Sequence, residues 1–221
     1  MTHPSQAEAK ISLPDNRRMT NSPQMARFFD ELADGYDNDH HDEIARLLLD
    51  LARPAPGAVV ADVACGNGAI ALDLARMGVA TPVLAVDISS GMIAVGRDRA
   101  ERAGLTDAID WRVAPAVPLP VPDASLDLVL CSSALHFLGS GALSDWRRAL
   151  RSGGRVGFTL PVASHFRPTG PFVELLAPDV PIPDTVDDAL AFVATAGFVE
   201  AEARLAQVGS RSVIATVATR P

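Results

Sequence analysis

A chain of 221 residues with 48% apolar and only 5% aromatic residues has the length and composition of one α/β domain with a substantial core. Its formal net charge of −8 disfavours a nucleic-acid partner, because an acidic surface repels phosphate backbones. Its two cysteines, Cys65 and Cys131, form no C-x-x-C pair, which argues against a disulfide framework or a zinc site.

No apolar run reaches membrane-spanning length, and the start "MTHPSQAEAK" has no signal-peptide core. No membrane partner is expected, and the cytoplasm is the expected compartment. Residues 1–22 are polar, with prolines and no periodicity, and read as a loose arm. In "PQMARFFDELADGYD", Met25, Phe28, Phe29, Leu32 and Tyr36 share one helical face. Ile44, Leu47, Leu48 and Leu51 make a second stripe, which "RPAPG" at 53–57 ends. Residues 23–52 therefore read as a helical lid before the first strand. Between the stripes, "DNDHHDE" at 37–43 offers metal-ligand types, but it reads better as a solvated link, and no metal is expected.

From there the pattern alternates. Strands are expected near 58–63, 83–87, 109–113, 126–131 and 154–160, with helices near 68–77, 90–103 and 142–150. That is the signature of a doubly wound, Rossmann-like parallel sheet. A proline-rich segment, 161–184, follows. A helix near 185–196 then leads to strands near 198–205 and 211–219, close enough to pair as an antiparallel hairpin. No repeat or second domain is visible, so residues 23–221 read as one domain.

The turn "ACGNGA" leaves the first strand and opens a helix, where ligands of open parallel sheets bind. Gly66 and Gly68 would let the backbone approach a ligand. Asp87, about twenty residues on and ending the second strand, suits two ribose hydroxyls. "GNGAIA" also fits a dinucleotide fingerprint. Charge separates the two readings: Asp62 would repel a pyrophosphate but suits a ligand carrying an ammonium and a sulfonium. That favours S-adenosylmethionine over NAD.

These residues resemble class I S-adenosylmethionine-dependent methyltransferases, in the ubiquinone/menaquinone-biosynthesis-like, small-molecule subgroup. "VVADVACGNGAIALDLA" resembles the first motif of that family and "VLAVDISSGMIAVGRDRA" the second. "LPVPDASLDLVLCSSALHFL" is similar to the fourth-strand segment, and "FFDELADGYD" to the helix that closes over the cofactor. The resemblance implies a seven-stranded sheet of order 3-2-1-4-5-7-6 with strand 7 antiparallel. It implies a cofactor site at Asp62, Ala64, Cys65, Gly66, Asn67 and Gly68. Asp87 would be the ribose acid, with Ile88 and Met92 flanking the adenine, and Pro115, Ala116, Cys131 and Ser132 would complete the site. S-adenosylhomocysteine would be the product. Two departures stand out: Ala64 replaces a frequent glycine, and Pro115 stands where relatives carry an acid for the adenine amino group.

Methyl transfer is a displacement that needs alignment and a dry site, and needs a base only for a weakly acidic nucleophile. His136, after the fourth strand, is the candidate base; the alternative is a histidine that packs or caps a helix start. Tyr36 either lies beside the cofactor sulfonium or is a core aromatic. The two cysteines read as small apolar residues, and His165 as a surface histidine. Segment 161–184, with Phe166 and Phe172, is expected to wall a small-molecule acceptor with an apolar or aromatic part. A homodimer is compatible with the sequence. The rivals are a nicotinamide oxidoreductase and a non-methylating or regulatory relative of the fold.

Overall fold

The computed structural model describes residues 23–36, 38–79 and 82–221. The arm expected at 1–22, and Asp37, lie outside the described residues. Seven strands, β1 (Val60–Val63), β2 (Val83–Asp87), β3 (Ile109–Val113), β4 (Leu126–Cys131), β5 (Leu150–Pro161), β6 (Val199–Val208) and β7 (Arg211–Thr219), form one sheet in the order β3-β2-β1-β4-β5-β7-β6. Neighbours from β3 through β5 pair in parallel, while β7 runs antiparallel to both β5 and β6. This is the expected Rossmann-like topology, including the terminal hairpin.

Period-2 alternation builds a core on each face of the sheet. Ala61, Val63, Val86 and Phe158 face one layer, which holds Leu143 and Trp146 of α6 (Gly141–Ala149) and Val193 of α8 (Val186–Thr195). Val60, Ala85, Leu130 and Val217 face the other. That layer holds α2 (Asn38–Ala52), α3 (Ala69–Met77) and α4 (Ser90–Arg102). The chain winds outward from β1 in both directions, to β2 on one side and β4 on the other. A crevice therefore opens beyond the C-terminal ends of β1 and β4.

The structure differs from the sequence reading in three places. Residues 38–43 are the first turns of α2, not a link. Asp42 is held there by both oxygens against Nη2 of Arg99 on α4, each at 2.9 Å. Second, α2 buries Ala45, Leu48, Leu49, Leu51 and Ala52 in the core, so it belongs to the body of the domain. Of the segment expected as a lid, only α1 (Pro23–Leu32) and the single turn Ala33–Gly35 lie outside that core. Third, β5 begins at Leu150, because Gly153 at φ +76° and the tightly enclosed Gly154 let the strand continue past an irregular register against β4. The short helices α5 (Leu135–Leu138) and α7 (Pro171–Leu175) escape sequence reading, since one turn carries no periodicity. Among the described residues, no helix is long and apolar enough to cross a membrane.

Candidate functional site

The turn after β1 passes through left-handed backbone at Ala64 (φ +48°), Gly66 (φ +53°) and Gly68 (φ +82°). It is bonded to β2: Cys65 N donates to Val86 O at 3.0 Å, and Gly66 N to Asp87 Oδ2 at 2.8 Å. Asp87 Oδ1 accepts from Ser89 N at 2.8 Å, so one carboxylate joins two loops. Asp62 Oδ2 accepts from Ala71 N at 3.0 Å, in the first turn of α3. Arg99 Nη1 braces the turn from behind, donating to Asn67 Oδ1 at 2.7 Å and to Asn67 O at 3.2 Å.

Both acids are buried, Asp62 at 1% and Asp87 at 7% exposure. Burial pushes the Asp62 carboxyl up to about 8, with the charge of Asp87 adding to it and the Ala71 amide opposing it. Burial likewise raises Asp87, against the pull of the Ser89 and Gly66 amides. Burial holds the Cys131 thiol far above its usual range, and the Cys65 thiol as well, which disfavours the thiolate at both.

The acids face a cavity whose described lining residues include no lysine or arginine. Two buried carboxylates with no lysine or arginine among the described wall residues fit a ligand that brings its own cation. Ser132 Oγ, buried without a hydrogen-bond partner on the same wall, adds an unfilled polar position. Asp62, Ala64, Cys65, Gly66 and Asn67 all line this cavity, as do Asp87, Ile88, Met92, Ala116, Ser132 and Tyr36. Ala116 is held by its carbonyl, which accepts from the buried Trp146 Nε1 at 3.0 Å.

Three expected cofactor contacts do not line the cavity. Gly68 turns toward the core, where a Cβ would lie 2.2 Å from the Trp111 ring, so its glycine serves packing. Cys131 is fully buried in the sheet, and Pro115 stands half-buried outside the wall. His136 also stands away from this cavity. It lines a second one, which borders the first along Tyr36, His41, Ser133 and Phe137, residues that line both. Its ring centroid is 4.1 Å from that of Phe137 and 5.5 Å from that of Phe166. Burial lowers the His136 imidazole to about 4, and its Nδ1 has no hydrogen-bond partner. Segment 161–184 contributes Pro161, His165, Phe166 and Phe172 to this second wall. The Tyr36 ring lies 4.6 Å from that of His41.

The sequence reading missed Asp30, His41, Arg99 and Trp111. Asp30 Oδ1 accepts from Ser89 Oγ and Gly91 N, both at 2.7 Å, clasping α1 to the start of α4. Ser89 carries its own local signal, since its Oγ caps Met92 N at 3.0 Å. Asp30 carries none, because its partners lie some sixty positions away. Among the described residues no cluster of three or more His, Cys, Asp or Glu is placed to hold a metal ion.

Residues 61–158 match the methyltransferase domain family Methyltransf_11. The chain is 35% identical over 150 residues to the ubiquinone/menaquinone biosynthesis C-methyltransferase UbiE of Xanthomonas oryzae pv. oryzae (strain MAFF 311018), covering 65% of this chain and 59% of that protein. It is 34% identical over 145 residues to the aklanonic acid methyltransferase DauC of Streptomyces sp. (strain C5), covering 63% of this chain and 66% of that one. The chain thus spans about three fifths to two thirds of the length of these curated relatives. The fold superposes on a SAM-dependent methyltransferase from Aquifex aeolicus with a TM-score of 0.64 at 17% identity, covering 89% of this chain and 98% of that one. With its strand order, glycine turn and paired acids, the chain is similar across residues 61–158 to the methyltransferase domain family and, over about 150 residues, to UbiE-like methyltransferases.

Proposed function

We propose that the protein transfers a methyl group from S-adenosylmethionine to an oxygen, nitrogen or carbon nucleophile of a small molecule. The observation that carries this reading is the pair of buried acids, Asp62 and Asp87, on a cavity that shares a border, the neck at Tyr36, His41, Ser133 and Phe137, with a second, aromatic-walled cavity. The bound cofactor supplies a methyl group on a positively charged sulfur, which leaves with the electron pair of the broken carbon–sulfur bond. Everything else falls to the chain. Asp62 faces the ammonium and sulfonium end, Asp87 takes the ribose hydroxyls with its remaining lone pairs, and Ile88 and Met92 flank the adenine. Tyr36 and Phe137 at the neck hold the acceptor in line and exclude water. His136 is neutral at physiological pH and accepts a proton from the acceptor as the new bond makes that proton acidic.

The first helix and the turn after it act as the lid. Met25, Phe29 and Tyr36 line the cofactor cavity from this segment, and Phe28 packs edge-on against Phe172 of the acceptor wall at 5.2 Å. The cytoplasm, where the cofactor is made, is the compartment this reading requires. Calorimetry with S-adenosylhomocysteine and with NAD, followed by a screen for transfer of labelled methyl to a metabolite mixture, tests it. Binding of the first ligand alone, with label in a small product, is the expected result. NAD binding would revive the oxidoreductase reading. Cofactor binding with no acceptor labelled would turn the assignment to a non-methylating relative of the fold.

A further inference from the structure

We infer that the acceptor carries an anionic group remote from the methylated atom, and that Arg167 and Arg211 bind it. The inference rests on the methyltransferase reading, because that reading makes the second cavity the acceptor site.

Charge is the first observation. The chain carries 27 acidic residues against 19 basic ones. The second cavity runs against that balance: among the described residues its wall includes Arg167 and Arg211 and no carboxylate. In a molecule this acidic, described lining residues that carry only positive formal charges favour an anionic occupant.

Position is the second observation. Tyr36, His41, Ser133 and Phe137, which line both cavities, mark where an acceptor meets the methyl group. Arg167 and Arg211 line only the outer cavity, and both are exposed, so they stand at its solvent side. The wall is apolar and aromatic through Phe166 and Phe172. An acceptor spanning this space has its nucleophile at the neck, a flat or apolar body along the phenylalanines, and its negative charge at the outer end.

Arg167 is anchored through its side chain, and Arg211 is placed by its backbone. Arg167 Nη1 donates to Phe166 O at 2.9 Å and to Ala163 O at 3.2 Å, which fixes the guanidinium beside the aromatic wall. Its remaining N–H groups form the planar fork that matches a carboxylate. Arg211 opens β7 and pairs in register with Val208, so the sheet sets its place. A guanidinium held by the protein loses less freedom on binding than a loose one.

The test uses two rigid acids, 4-hydroxycinnamate and 4′-hydroxybiphenyl-4-carboxylate, each with a phenol at one end and a carboxylate at the other. Their methyl esters keep the shape and remove the charge. Each is titrated by calorimetry into the protein saturated with S-adenosylhomocysteine. At least one acid is expected to bind about tenfold tighter than its ester, with the gap narrowing as salt rises. The double variant Arg167→Gln/Arg211→Gln should close the gap while leaving S-adenosylhomocysteine affinity and the circular dichroism spectrum unchanged. Arg167→Lys/Arg211→Lys should restore part of it. Equal affinity of every acid and its ester, no binding by either acid, or a gap that survives in the glutamine double variant would overturn the proposal. Failure to bind S-adenosylhomocysteine at all would defeat the methyltransferase reading and the proposal with it. Intact cofactor binding without acid preference would defeat the proposal alone.

Discussion

The amide of Gly66 donates to Oδ2 of Asp87 at 2.8 Å, across 21 positions of sequence, so the proposed ribose acid and the glycine turn are one structural unit. With Oδ1 engaged by Ser89 N, each oxygen of Asp87 keeps one lone pair for a ligand hydroxyl. Asp87→Ala removes the ligand bonds and the bond that shapes the turn. Affinity for S-adenosylhomocysteine is expected to fall by about 2–4 kcal/mol, because charge-assisted bonds are lost. Calorimetry on the folded variant measures this, and an unchanged affinity would move the ribose elsewhere.

Asp62 makes both stability and ligand binding depend on pH. Its folded value of about 8 lies far above that of an unfolded aspartate, ~3.9. Below ~4 both states hold the proton. Between ~4 and ~8 only the folded state does, so stability without ligand falls as pH rises through that window and levels off above it. A cationic ligand beside Asp62 favours the carboxylate, so binding below pH ~8 releases a proton and tightens as pH rises. Calorimetry of S-adenosylhomocysteine in buffers of different ionisation enthalpy should detect the released proton. Asp62→Asn, which keeps an oxygen for Ala71 N, should abolish it. A buffer-independent heat in the unmodified protein would count against a protonated Asp62.

Two substitutions in the turn should act in opposite directions. Gly68→Ala adds a methyl group 2.2 Å from the Trp111 ring at φ +82° and is expected to cost roughly 2–4 kcal/mol of stability. Ala64→Gly relieves a non-glycine residue at φ +48° and should gain roughly 1 kcal/mol. Urea midpoints report both. A stable Gly68→Ala protein would mean that Trp111 can move aside.

Sheet order and cofactor were legible because they depend on local signals. Alternating runs such as "VLAVD" mark strands, and two glycines with an acid in register mark a nucleoside site. What stayed hidden depends on contacts distant in sequence. The need for glycine at 68 comes from Trp111, and the helical state of 38–43 comes with the Arg99 clasp on Asp42, neither visible in a run of polar residues. Ala116 was named from sequence as a candidate and lines the cavity, but its anchor Trp146 was not legible.

The clasp at Asp30 makes the lid testable without truncation. Its bonds to Gly91 N and Ser89 Oγ hold its carboxyl below the usual carboxylate range, so they stabilise the docked helix above that range and weaken as pH falls into it. Asp30→Ala should free α1 from α4. Faster protease cleavage within residues 23–36 and a higher KM for the cofactor are expected, with the remainder of the domain folded. Deleting residues 1–36 should leave a folded protein with little turnover. Full activity in that truncated protein would rule out the lid.

His136 gives the prediction that the structure changes most. An imidazole near its ordinary value would make turnover climb with pH around 6.5. Burial among Phe137 and Phe166 lowers it to about 4, so it is already neutral across the working range. Turnover should therefore carry no His136 step between pH ~5.5 and ~8, and any step there belongs to the acceptor or to Asp62. A neutral imidazole whose conjugate acid gives up its proton near 4 is too weak a base to strip a phenol in advance. It can take a proton only as attack on the methyl makes that proton acidic. His136→Gln keeps much of the size and loses this capacity. If His136 takes the proton, turnover at saturating cofactor should fall by roughly 10²–10⁴ at every pH, leaving the shape of the profile unchanged. A near-normal rate in the variant would reduce His136 to packing behind Phe137. A rate in the unmodified protein that climbs near pH 6.5 and loses that climb in His136→Gln would show that the bound acceptor restores an ordinary imidazole, as an anion placed in the outer cavity would do by stabilising the charged ring.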